Sequence, residues 1–105
     1  MTMLSDDKKF MTTIEPPSYL DGARVIKWAW SGQEPFGFVD SDENTIRKEI
    51  YGLALCQYEN TESIYRFSCD INWEVIQDSE YDSILDAIDQ LPEQYKNVEP
   101  NWQTK

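Results

Sequence analysis

The chain has 105 residues, 40 % hydrophobic and 13 % aromatic, enough for one folded core without metal or disulfide staples and too apolar for intrinsic disorder. Nine basic against twenty acidic residues leave a formal charge of −11, a field that repels phosphate and anionic lipid and favours a basic protein partner over direct nucleic-acid or membrane binding. The chain has no histidine, which excludes every histidine-based triad, zinc site and proton shuttle.

Residues 1 to about 20 read as a weakly structured lead, with Phe10 to Ile14 able to add an edge strand. Pro16 and Pro17 end any element there and favour an extended course. Ala23 to Trp30 reads as the first clear strand, with Ile26, Trp28 and Trp30 on one face. Ser31 to Pro35 supplies a turn, Phe36 to Val39 a short second strand, and Asp40 to Asn44 a polar loop. Glu49 to Glu59 reads as a third strand. Ile50, Ala54, Cys56 and Tyr58 share one face and Tyr51, Leu53 and Leu55 the other, the pattern of an interior strand covered on both sides.

After a turn at Asn60 to Ser63, Ile64 to Gln77 alternates over its whole length. Tyr65, Phe67, Cys69, Ile71, Trp73 and Val75 interleave with Arg66, Ser68, Asp70, Asn72 and Glu74. This predicts one long antiparallel strand with a wet face. The hairpin admits two registers, one setting Cys69 opposite Ala54 and a tighter one that pairs the thiols and lays Trp73 over Gly52. Both put the two thiols on the helix-facing side.

A helix is expected next, with Ser79 as N-cap and Asp82 as its capping-box partner. Tyr81, Ile84, Leu85, Ile88 and Leu91 form the apolar stripe, and Pro92 stops the helix. Ile84, Leu85 and Ile88 are predicted to pack on Phe67, Ile71 and Trp73. Residues 93–105 form a tail with Tyr95, Val98 and Trp102 available for docking. The expected fold is α+β, one domain over residues 1–105: an antiparallel sheet of four to five strands with one C-terminal helix packed on one face.

The chemistry-bearing patterns are few. Cys56 and Cys69 lack a C-x-x-C spacing and read as buried small apolar residues, not as a redox pair. Asp40, Asp42 and Asn44 imitate the start of a calcium-binding loop, but Thr45 stands where glycine is required and Tyr51 where the bidentate glutamate belongs. Trp28 and Trp30 read as core aromatics. No catalytic residue, metal site or cofactor is implied, and the chain is expected not to be an enzyme.

The informative segment runs from Arg66 to Lys96, with eight carboxylates between them and no basic residue. On a helical wheel Asp82, Asp86, Asp89 and Glu93 cluster opposite the apolar stripe, with repulsion at i,i+4 and Asp89 near the unfavourable end of the helix dipole. A face selected for solubility alone would include some Lys or Arg. These four, with Asp70 and Glu74 of the long strand's wet face, are the candidate partner-binding residues. The reading is a cytoplasmic acidic protein-binding module, for instance an inhibitor or immunity-type protein engaging a basic partner. The alternative is a self-associating domain that closes an apolar sheet face by homodimerisation. A small enzyme using carboxylate or tyrosine chemistry ranks last.

Overall fold

A computed structural model describes residues 14–40 and 47–105. The segment Phe10 to Thr13 and the loop residues from Ser41 to Thr45 lie outside the described residues. What is described is rich in sheet. β1 (Tyr19–Leu20), β2 (Ala23–Trp30), β5 (Gly52–Gln57), β6 (Ile64–Cys69) and β7 (Val75–Tyr81) form a curled antiparallel sheet in the order β1-β2-β5-β6-β7. β8 (Gln103–Thr104) pairs with β2 beside β1, and β3 (Gly37–Asp40) pairs with β4 (Arg47–Ile50) as a separate hairpin. One short helix, α1 (Ile84–Asp89), and a 3-10 turn at Glu93–Tyr95 complete the described residues.

The expected α+β class and antiparallel sheet are therefore present, with more strands and much less helix than the sequence predicts. Several expected elements are corrected. The predicted strand Glu49 to Glu59 breaks at Tyr51, where the chain leaves the small hairpin for the main sheet. The break reverses side-chain parity, so Ile50 joins Leu53 and Phe36 in one core while Ala54 and Cys56 face another. In β2 a bulge between Val25 and Lys27 has the same effect. Trp28 stays on the first face, whereas Ile26 packs with Leu55 on the second.

The hairpin of β5 and β6 adopts neither expected register. Its loop is longer, and Gly52 pairs with Cys69, Ala54 with Phe67 and Cys56 with Tyr65. Trp73 nevertheless lies over Gly52, by a different route. The strand predicted to run to Gln77 stops at Cys69. Asp70 Oδ1 accepts from the backbone N–H groups of Asn72 (2.8 Å) and Glu74 (2.9 Å), and Trp73 takes a left-handed φ of 63°. That Asx turn offers the backbone an alternative to the sheet ladder. It swings the indole across the strand, where the Nε1–H donates to the Ile14 carbonyl at 3.2 Å. The chain then returns as β7, so residues 79–81, expected to start the helix, belong to a strand.

Two layers of core result. The first face of the sheet holds Val25, Trp28, Ala54, Cys56, Phe67 and Cys69, closed by Leu20, Ala23 and Trp73. The second holds Ala29, Leu53, Leu55 and Ile64, covered by Phe36 and Ile50 of the hairpin segment and by Ala87, Leu91 and Tyr95. The expected docking of the helix on Phe67, Ile71 and Trp73 is thus corrected. The helix contacts the opposite face through Ala87, its one buried residue, and Leu85 and Ile71 are exposed at 66 % and 54 %. The reason is that both faces of β5 are apolar, so the pattern does not say which one the helix covers. The 3-10 turn comes so close to β3 that a Cβ on Gly37 would meet the Gln94 carbonyl at 1.6 Å, and only glycine fits there.

Candidate partner-binding surface

The expected wet face of β6 is buried. Arg66 is 1 % exposed and Ser68 fully covered. The Arg66 guanidinium donates to Tyr81 Oη (2.6 Å) and Ser79 Oγ (3.2 Å), and it sits 5.2 Å from the Tyr95 ring centroid. No carboxylate pairs with it among the described residues, and its Nε finds no acceptor there. Tyr95 in turn donates to Gln77 Oε1. Burial pushes the Tyr95 phenol above its ordinary range, partly opposed by Ser68 and by the Arg66 charge. Arg66 is thus the clamp between β6, β7 and the 3-10 turn, and it offers no charge to solvent.

With Arg66 hidden, the surface from Asp70 to Glu93 is acidic. Glu74, Asp78, Glu80, Asp82, Asp89 and Glu93 are exposed, while Asp70 and Asp86 are half-buried. Of these eight, Glu93 alone forms an ion pair among the described residues, with Lys96 at 3.3 Å. The supposed helical stripe is redistributed. Ser83, not Ser79, is the N-cap, its Oγ accepting from the Asp86 N–H at 3.0 Å. Asp82 therefore precedes the helix and Glu93 opens the 3-10 turn, leaving Asp86 and Asp89 as the acidic pair on α1. Asp86, in the first turn, complements the helix dipole, while Asp89 ends the helix with no basic residue in its last turn. Asp70 is committed to its own turn.

Two carboxylates outside the expected set now stand out. Asp78 and Glu80 alternate along β7, in register with Phe67 and Tyr65, and so lie on one side of the sheet. Asp78 is felt on the first face: the Tyr58 phenol is pushed up by burial, then by Asp21 and by Asp78. The signal that could have found them is the period of two from Gln77 to Tyr81, masked by a plausible helix N-cap at Ser79.

The two thiols are buried and free. Burial pushes the Cys56 thiol up to about 12, and Cys69 is raised further by burial and by Cys56. The exposed cations include Lys96, paired with Glu93, and Arg47 and Lys48 of β4. Arg47 stacks over the exposed Phe38 ring at 4.9 Å and, with Lys48, Glu49, Tyr51, Asp70 and Ile71, lines a shallow depression of mixed charge. Leu53 and Leu55, whose exposure would have called for a second subunit, are covered by the chain itself. No group of three or more metal-ligating side chains occurs among the described residues. No helix there is long and apolar enough to cross a membrane. No protein-family model, curated protein or solved structure matches this chain.

Proposed function

We propose that this protein is a binding module for a basic protein partner, engaged through the acidic surface of β7 and α1. The observation that carries the reading is the absence of ion pairs, among the described residues, at Glu74, Asp78, Glu80, Asp82, Asp86 and Asp89. Keeping like charges together costs stability, and a complementary surface recovers it while accelerating encounter. An inhibitor that occupies the phosphate-binding site of a nucleic-acid-processing protein is one biological form of this module. Self-association through an apolar sheet face loses its motive, since Leu53 and Leu55 are buried by α1, the 3-10 turn and the tail.

Salt-sensitive capture tests the reading. The immobilised protein and a variant carrying Asp78→Asn, Glu80→Asn, Asp82→Asn and Asp89→Asn are exposed to lysate at low and high salt, and retained proteins are identified by mass spectrometry. A basic protein retained by the wild type at low salt, released by high salt and missed by the variant is the expected result. Identical retention by both proteins defeats the proposal, as does a light-scattering mass of twice the chain with nothing retained.

A further inference from the structure

Among the described residues, the outer edge of β7 has no strand partner. β7 is the last strand of the main sheet and pairs with β6 over its length, and no described residue pairs with its other side. The opposite end of the sheet differs, because β1 and β8 together occupy the outer edge of β2. A seven-residue edge directs a row of backbone N–H and C=O groups outward and is a template for strand addition. Along that edge Asp78 and Glu80 are exposed on one side of the sheet, two residues apart. Side chains two residues apart on a strand stand about 7 Å apart, which is the repeat of an incoming strand.

We propose that β7 captures an extended segment of the partner as an added strand, with basic side chains at alternate positions facing Asp78 and Glu80. The proposal rests on the partner-binding reading and specifies its mode. Opposite charges across adjacent strands stabilise the pairing, and like charges directly opposed destabilise it. That rule selects the occupant. A second copy of this chain pairing antiparallel about Ser79 would set Asp78 of each copy against Glu80 of the other. A basic segment meets both carboxylates favourably, and the exposed Glu74 and Asp82 at the two ends of the strand extend the same field.

The test is residue-resolved amide exchange by NMR at low salt, with a blocked octapeptide of alternating Lys and Thr as the probe. The control peptide is N-methylated at every backbone nitrogen, which keeps its charge and removes its donors. The unmethylated peptide should slow exchange of alternate amides within Val75–Tyr81 about tenfold or more, and the methylated one should not. Asp78→Asn with Glu80→Asn, folding checked by circular dichroism, should weaken the unmethylated peptide about tenfold. Equal binding of both peptides without protection in β7 overturns strand addition and leaves the acidic-surface reading standing. Binding by neither peptide also overturns it and makes the carboxylates guards of an edge against aggregation. The partner reading itself then stands or falls by the salt-sensitive capture. A doubled mass in light scattering, with β7 protected in the absence of peptide, would overturn the choice of occupant.

Discussion

Gly52→Ala tests the contact that breaks the long predicted strand. A Cβ added at Gly52 would stand 2.5 Å from Cζ3, 2.7 Å from Cη2 and 2.8 Å from Cε3 of Trp73. Carbon atoms pack comfortably at about 3.5–4.0 Å, so the indole must withdraw by about 1 Å. It has little room, being 6 % exposed and held edge-on to Trp28 at 6.3 Å and tilted against Trp30 at 5.5 Å. Overpacking of this kind costs about 1–3 kcal/mol. Gly52 is not among the positive-φ glycines, so alanine recovers about 0.4–1 kcal/mol by restricting the unfolded chain. The net expectation is a loss of about 1–2 kcal/mol, a Tm lower by roughly 5–15 °C at this size. Urea unfolding followed by circular dichroism and tryptophan fluorescence measures it. The decisive arm is a double-mutant cycle with Trp73→Ala, which alone costs about 3–5 kcal/mol. With the ring gone, Gly52→Ala should be neutral or stabilising. If Gly52→Ala matches the wild type, or costs the same in both backgrounds, the indole does not lie over Gly52 and this account of the turn fails.

Three further outcomes are expected. Leu85→Ala should change stability by less than about 0.5 kcal/mol, as an exposed residue does, whereas Ala87→Leu should cost about 1–3 kcal/mol by overfilling the contact with Leu55 and Ile64. The reverse order in urea melts would mean that the helix docks by its other side. Both thiols should resist a disulfide reagent at pH 8 until the protein unfolds. Their folded pKa values are raised, so the unfolded state releases protons first, and stability should be flat below about pH 9 and fall as pH rises towards 12. Cys69→Ala should flatten that fall, and a slope unchanged by the variant would contradict burial as its cause. Arg66→Lys should destabilise by about 1–3 kcal/mol, since one ammonium cannot bond Tyr81 and Ser79 while stacking on Tyr95. A loss under about 0.5 kcal/mol in the same melts would show that the clamp is dispensable.

Period and punctuation alone determined much of this protein. The limits of β2, the burial of both cysteines on one face and the unrelieved acidity after Arg66 follow from local pattern, because each depends on neighbours within a few residues. A closer reading of Asp70-Ile71-Asn72 as an Asx turn would also have exposed the break before β7. Other features depended on the whole chain. The alternation through Ile71, Trp73 and Val75 satisfies a strand equally well until the indole finds Gly52 from across the sheet. The carboxylates at 82, 86, 89 and 93 share a helical face only if one helix carries them all, and β7 takes up the residues that would begin it. Arg66, in phase with the polar residues expected to face solvent, is buried because Tyr81 and Tyr95 arrive from later in the sequence to surround it. Local pattern says which residues want cover. Which segment supplies the cover, and therefore which edge and which charges remain outside, is decided when distant parts of the chain compete for the same two faces of one sheet.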